Sequence, residues 1–316
     1  MKILANGQLV DEVKEILESS GFEVKEVQVA YEQLSSYTKK NNVDILWLIH
    51  TGLLDRDLLN DLTHVKVLVL ANESVELEVI DYALSLGILV VWAEEALSNA
   101  TAELVFAHLF NGCRLLPEAN RNMPLEGDTS FKFLHESYSN GIELSGKTLG
   151  ILGMSRSGLK VAQKALGLGM DVIYYDENRS SVSEVVVLPN GISFPIELKS
   201  ISFEEVLEYA HFITIHTTFY EKYLINANSF EVANNLIGVI NCAYPEAINE
   251  VDLVEEINKE TILFAGLDRF EEEPNPAIQV LMQPAFSLSP NINSATQESK
   301  KSIDAELIEK ILKIKK

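Results

Sequence analysis

The stretch Thr148-Leu149-Gly150-Ile151-Leu152-Gly153-Met154-Ser155-Arg156-Ser157-Gly158 decides how this chain folds. An apolar run enters a glycine turn and passes into an amphipathic run, Leu159 to Leu168, so the segment reads as strand, turn and helix. It approximates G-x-G-x-x-G. In that pattern the first glycine makes the tight turn, the second lets backbone N–H groups approach a pyrophosphate, and the third lets the helix pack on the strand. Ser155 stands at the second glycine, where its β-carbon crowds a pyrophosphate and its hydroxyl can donate to one. The next strand ends on Asp176, at about the spacing where an acidic side chain accepts both hydrogen bonds of an adenosine ribose. These residues predict a dinucleotide site, and Asp176 favours NAD over NADP. Arg179, close after it, reads as a solvated loop charge, the alternative being a partner for a 2′-phosphate.

Outward from that turn, short Val/Ile/Leu runs alternate with amphipathic stretches, the pattern of parallel sheets covered by helices on both faces. The runs predict strands at 2–5, 22–29, 45–49, 65–71 and 88–93, with helices at 10–19 and 75–86, as a first α/β unit. A helical pattern over about 99–116 is followed by a polar, turn-rich piece, 117–141, containing Pro124, Gly127 and Asp128, which reads as a domain crossing. A second series of strands follows at 147–152, 171–175, 212–216, 237–241 and 262–265. Near the C-terminus, Ile308, Ile311, Leu312 and Ile314 have a helix-like spacing that needs a surface to bury against.

Composition narrows the function classes. At 47% hydrophobic and 23% charged residues the chain has a globular balance, which excludes disordered, collagen-like and coiled-coil classes. Asp and Glu outnumber Lys and Arg 47 to 25, for a formal net charge of −22, which repels phosphate backbones and anionic lipid. Nucleic acid and membrane are therefore not expected as partners. Asn6, Gly7, Gln8 and Asp11 interrupt the first apolar stretch, and no apolar run approaches the roughly 18 residues of a membrane span. A cytoplasmic protein is expected. Cys113 and Cys242 lie far apart and predict two reduced thiols. No metal is expected, since Glu271, Glu272 and Glu273 with Asp268 read as solvated charge.

In the segment from Ile142 to Gly153, in Asn241-Cys242-Ala243 and in the run from Gly266 through Asp268 to Glu273-Pro274, the chain resembles the D-isomer-specific 2-hydroxyacid dehydrogenases, the group that includes phosphoglycerate dehydrogenase. The resemblance implies two Rossmann-like, doubly wound α/β domains with parallel sheets. The NAD domain, 99–284, would be inserted into a discontinuous, flavodoxin-like substrate-type domain, 1–98 and 285–316. It also implies an active site between the two and a homodimer formed through the NAD domain. By resemblance, NAD would be held by Gly153, Ser155, Arg156, Ser157, Gly158, Asp176, His216, Thr217, Thr218, Cys242 and Ala243, with Asp268 reaching the nicotinamide carboxamide.

The substrate side departs from the family. Tyr244 occupies the position of the family's carboxylate-gripping arginine, and a phenol is neutral at pH 7. Asn291 occupies the position of its general-base histidine and takes no proton at neutral pH. Glu273, matching the acid that orients that histidine, remains. A Gly-x-Gly loop that binds the substrate anion is replaced by Asn72-Glu73-Ser74-Val75-Glu76, the apposed loop reads Trp92-Ala93-Glu94-Glu95-Ala96, and Thr218 replaces the proline of a turn beginning at His216. The catalytic candidates are Glu273, Tyr244, Asn291 and His50. Tyr244 could donate to a carbonyl oxygen or simply fill the space of the arginine, and His50, ending an apolar strand, could serve as a substitute acid or base. His108, in an apolar helical run, reads as a core or interface residue. Two functions follow as expectations. One is an NAD-linked oxidoreductase on a non-standard small substrate, neutral or cationic if Glu73 and Glu76 face it. The other is a catalytically degenerate NAD-binding sensor, scaffold or partner subunit.

Overall fold

The computed structural model describes residues 1–49, 54–71, 77–187, 190–217 and 223–314. His50, Thr218 and the segment 72–76 lie outside the described residues. By its internal contacts the chain divides into two compact units, residues 1–97 with 294–316, and residues 98–293.

In the first unit, strands β1 (Lys2–Asn6), β2 (Glu23–Glu26), β3 (Ile45–Leu48), β4 (Val67–Leu70) and β5 (Leu89–Trp92) form a parallel sheet in the order β2-β1-β3-β4-β5. Ile3 aligns with Ile45, Ile45 with Val67 and Val67 with Leu89. Successive side chains point to opposite faces, so strands covered on both sides read as unbroken apolar runs. Ile3, Ala5, Ile45, Trp47, Val67 and Val69 enter one core, and Leu4, Leu46, Leu48, Leu68 and Leu70 enter the other. The first core is closed by Val13 and Leu17 of helix Asp11–Ser19 and by Ile303, Leu307 and Ile311 of helix Gln297–Ile314. The C-terminal apolar spacing thus has its surface, with each buried side chain contributing roughly 1.5–3 kcal/mol. Glu306 of that helix accepts hydrogen bonds from the N–H groups of Ala96 at 2.7 Å and Glu95 at 3.3 Å, satisfying donors left open at the start of helix Glu94–Cys113.

The second unit contains β6 (Thr148–Leu152), β7 (Asp171–Tyr175), β8 (Ser181–Val187), β9 (Ser193–Lys199), β10 (Phe212–Ile215), β11 (Gly238–Asn241), β12 (Phe264–Leu267) and β13 (Phe286–Leu288). Six of these form a parallel sheet in the order β13-β12-β11-β10-β6-β7. The order reverses between β6 and β10, and in such sheets ligands bind beyond the carboxyl ends of the strands at that reversal. Because β13 pairs with β12, residues 286–288 lie in this sheet, whereas the sequence placed them in the returning part of the first unit.

Two sequence expectations need correction, and one pair of strands was not foreseen. The piece 117–141 is mostly helical, Leu116–Glu126 and Phe131–Ser137, and lies inside the second unit. Its prolines mislead: Pro117 is in the first helical turn, where a missing N–H costs nothing. The strand expected over 22–29 is confined to Glu23–Glu26. The antiparallel pair β8–β9 was not anticipated, since only Val182 and Ile196 of it are deeply buried while Val185 and Val187 are exposed.

Candidate functional site

At the carboxyl end of β6, Gly153 has φ +94, and a β-carbon there would stand 2.4 Å from the Thr217 nitrogen and 2.5 Å from its Cα. Only glycine fits. Gly158 meets the same turn from the helix side, since its β-carbon would lie 2.5 Å from the Gly153 carbonyl oxygen. Ser155, in place of the middle glycine, has an ordinary φ of −64 and acts as N-cap of helix Arg156–Gly167, its Oγ accepting from the Gly158 N–H at 3.3 Å. Its hydroxyl is therefore part of the helix start. Ser155 Oγ lies 3.0 Å from Ser157 Oγ, Ser157 Oγ lies 3.0 Å from His216 Nδ1, and His216 Nε2 lies 2.9 Å from Thr214 Oγ1. This chain joins the carboxyl end of β10 to the helix start. Burial pushes the His216 pKa down to about 3, so its imidazole is neutral at pH 7.

The electrostatics of this helix start suit an anion. Helices Asp11–Ser19, Phe203–Tyr209 and Glu250–Asn258 carry acidic residues in their first turns, whereas helix Arg156–Gly167 carries none and opens on Arg156. The positive end of its dipole is left for an external anion. Beside it, Asp176 at the end of β7 accepts from the N–H groups of Met154 at 2.7 Å, Asn178 at 2.8 Å and Arg179 at 2.9 Å. A carboxylate has about four acceptor sites, so Asp176 can fix the glycine turn and still accept from a hydroxyl. Arg179 is not a solvated charge. It is half-buried, donates to the Met154 carbonyl at 3.0 Å and to Glu184 at 3.4 Å, and so spans the turn. The glycine cradle, the open helix start and the acidic residue fit a dinucleotide.

The remaining strand ends continue the row. Buried Asn241 shapes the turn after β11, its Nδ2 donating to the Tyr244 carbonyl at 2.9 Å and its Oδ1 accepting from the Ala243 N–H at 3.0 Å. Cys242 is buried, and its carbonyl accepts from Asn293 Nδ2 at 2.6 Å. Tyr244 is 8% exposed and lies in the apolar core with Leu267 and Phe270. After β12, Arg269 donates from Nε to Glu273 at 2.9 Å, from Nη2 to Glu273 at 3.4 Å and from Nη1 to the Ala243 carbonyl at 3.3 Å. Glu273 also accepts from the Phe270 N–H at 3.0 Å.

Asp268 is wholly buried. Its Oδ1 accepts from Ser289 Oγ at 2.5 Å and the Ile292 N–H at 2.9 Å, and its Oδ2 accepts from the Asn293 N–H at 2.9 Å. Burial pushes its pKa up, opposed by these three donors and by Arg269. Asn291 stands in the same loop at φ +53, its own N–H donating to the Asp268 carbonyl at 2.9 Å. Behind the loop, His108 Nε2 lies 3.1 Å from Ser289 Oγ, His108 Nδ1 lies 2.8 Å from Ser287 Oγ, and Asn111 Nδ2 donates to Ser287 Oγ at 3.1 Å. The Ser289 proton goes to the carboxylate, so Ser289 must accept from a protonated Nε2, which leaves Nδ1 to accept from Ser287. Donation therefore runs one way, from Asn111 through Ser287 to His108 and from His108 through Ser289 to Asp268. Burial holds the His108 pKa down at about 4. The sequence singled out His108 and Asp268 but not the chain between them. Its only trace was Ser287 and Ser289 on one face of an apolar strand, with His108 and Asn111 three apart on a helix.

The structure thus places Gly153, Ser155, Arg156, Ser157, Gly158, Asp176, His216, Thr217, Cys242, Ala243, Tyr244, Asp268, Glu273 and Asn291 on one edge of one sheet or in the turns leading from it. His50 and Thr218 fall outside the described residues. Among the described residues no group of three His, Cys, Asp or Glu side chains could hold a metal ion, both cysteines are buried and free, and no helix is long and apolar enough to cross a membrane.

A doubly wound sheet with this turn at its reversal defines a dinucleotide-binding α/β protein. Residues 106–292 match the model of the D-isomer specific 2-hydroxyacid dehydrogenase NAD binding domain, and the chain belongs to that family, with NAD as the cofactor of this unit. It is 30% identical to a D-3-phosphoglycerate dehydrogenase of Bacillus subtilis over 308 residues, which are 97% of this chain and 55% of that protein. It is also 30% identical to a glyoxylate reductase of Thermococcus litoralis over 279 residues, 87% of this chain and 81% of that one. The chain spans little more than half the length of the phosphoglycerate dehydrogenases it matches. Among solved structures, a glyoxylate reductase from Paecilomyes thermophila superposes with a TM-score of 0.78 at 23% identity, covering 98% of this chain and 94% of that one, a likeness of fold.

Proposed function

We propose that this chain is a cytoplasmic NAD(H)-dependent oxidoreductase that interconverts a small hydroxyl compound and its carbonyl form. NAD, when bound, supplies or accepts the hydride. The chain's own residues divide the rest. The helix start at Ser155 and Arg156 binds the pyrophosphate, Asp176 binds the adenosine ribose, and the turns at His216 to Thr217 and Cys242 to Ala243 orient the nicotinamide half. His216, neutral and tethered on both ring nitrogens, holds the floor of that pocket. The observation that carries the reading is the row of strand ends. From β7 through β6, β10 and β11 to β12 they are followed by Asp176, the Gly153 turn, His216, the Cys242–Ala243 turn and then the segment that carries Glu273, with 28% of its side chain exposed. Glu273, Tyr244 and His50 are the proton-handling candidates, Glu273 being also the ion-pair partner of Arg269. Asn291 exchanges no proton at pH 7, so ordinary 2-hydroxy acids should turn over about 10² to 10⁴ times more slowly than with a general base in that position.

Calorimetric titration followed by absorbance assays tests this. NADH should bind more tightly than NADPH, Asp176→Ala should weaken NADH by about 10- to 100-fold through loss of a charge-assisted hydrogen bond, and slow NADH oxidation should appear across a panel of small carbonyl compounds. Absent NADH binding, or binding with no oxidation across the panel, would refute the reading. The second outcome would favour a sensor or scaffold.

We further propose a homodimer formed through the second unit. Leu125, Phe131 and Phe133 on the two helices after residue 115 are 76%, 63% and 64% exposed, an apolar surface that association would cover. Light scattering should give twice the chain mass, and Phe131→Ser with Phe133→Ser should shift the protein toward monomer. A wild-type monomer at micromolar concentration would count against it.

A further inference from the structure

We propose that Arg269 is the substrate-anchoring cation of this site, with Glu273 as the residue that positions it. The assignment rests on the oxidoreductase reading above and adds an anionic group, a carboxylate, to its substrate. The guanidinium bridges two neighbouring strand ends, bonded to Glu273 after β12 and to the Ala243 carbonyl after β11. Its side chain is 16% exposed, so it is sheltered without being sealed off. Of its five N–H donors, Nε and one on Nη2 go to Glu273 and one on Nη1 goes to Ala243. One N–H on each terminal nitrogen has no partner among the described residues. Two donors on a planar fork match the two oxygens of a carboxylate.

Position along the sheet gives the reason this cation meets substrate. Asp176 on β7 and the glycine turn on β6 take the adenosine and pyrophosphate portions, so the nicotinamide lies toward β10 and β11, and the reacting compound lies beyond it. β12 is the next strand in that direction. Arg156 and Arg179 stand at the pyrophosphate and ribose end, whereas Arg269 stands at the other, bonded to the Ala243 carbonyl. Glu273 holds the fork at two points before substrate arrives, which lowers the ordering cost of binding. This assignment reverses the expectation of a neutral or cationic substrate drawn from Glu73 and Glu76.

The test uses the full chain saturated with NADH. Oxalate titrated calorimetrically should bind the wild-type complex, bind Arg269→Gln about 100-fold more weakly through loss of two charge-assisted hydrogen bonds, and recover part of that affinity in Arg269→Lys. NADH affinity should fall by about tenfold at most, well short of the oxalate loss, since the one link from the guanidinium to the nicotinamide turn is the 3.3 Å bond to the Ala243 carbonyl. Where 2-oxo acids are reduced, Arg269→Gln should raise KM for the acid and leave the matching amide unchanged. Equal losses on acid and amide, unchanged oxalate binding in Arg269→Gln, or no oxalate binding to the wild-type NADH complex would each overturn the assignment. Failure of NADH itself to bind would instead refute the oxidoreductase reading, and oxalate titrated onto the coenzyme-free chain, wild type against Arg269→Gln, then decides the anion site by the same criterion.

Discussion

Replacing Gly153 by alanine should weaken NADH binding by about 100-fold or more in a calorimetric titration. The added methyl would start 2.4 Å from the Thr217 nitrogen, a backbone atom that cannot rotate away, at a φ of +94 that L-residues avoid. Overpacking of this kind costs about 1–3 kcal/mol, and an unfavourable left-handed φ adds about 1–2 kcal/mol. Relief comes only by moving the turn or the Thr217 segment, and both line the pyrophosphate site. About 3 kcal/mol spent in reshaping that cradle corresponds to the stated loss. A circular dichroism melt separates local reshaping from unfolding. An alanine variant that binds NADH as tightly as wild type would show that the pyrophosphate sits elsewhere.

Asp268→Ala should be the most destabilising single change at the sheet edge, by about 4 kcal/mol, read from the urea midpoint of the second unit. Removing the carboxylate strands one buried donor, the Ser289 hydroxyl, and two part-buried ones, the N–H groups of Ile292 and Asn293. Each unsatisfied group costs about 1–3 kcal/mol. The directed chain from Asn111 through His108 loses its terminal acceptor as well. The same carboxylate was expected from the family resemblance to reach the nicotinamide, and in this structure three of its acceptor sites serve the 289–293 loop. A variant with an unchanged midpoint would mean that the loop is held independently of Asp268.

How much of this could be seen in the sequence depended on how local the cause was. The parallel strands were legible because residues such as 45–48 and 67–70 are buried on both faces and must be apolar throughout. The glycine turn was legible because each glycine answers a backbone requirement within a few residues. Helix Tyr31–Lys40 was not, since only Leu34 and Thr38 of it are buried and the apolar stripe is too thin to show a period. Helix Leu116–Glu126 has no buried residue, and its prolines imitate a loop. Within the site, Ser155 looked like a defect in a phosphate motif, and folding gives its hydroxyl to the helix cap. Arg269 drew no attention because its partners, Glu273 and the Ala243 carbonyl, are brought to it by a turn and by a neighbouring strand that is far away in sequence. The buried chain from Asn111 to Asp268 is wholly a product of tertiary packing, joining residues more than a hundred positions apart.

Since all six strands of the second unit's main sheet run the same way, that unit has a reactive rim and an inert one. The inert rim gathers the turns that lead into strands, including Leu263, which is 53% exposed immediately before β12. A fluorophore or surface tether attached there would sit a full strand length from the coenzyme cradle, leaving an immobilised or labelled protein able to capture its ligand unhindered.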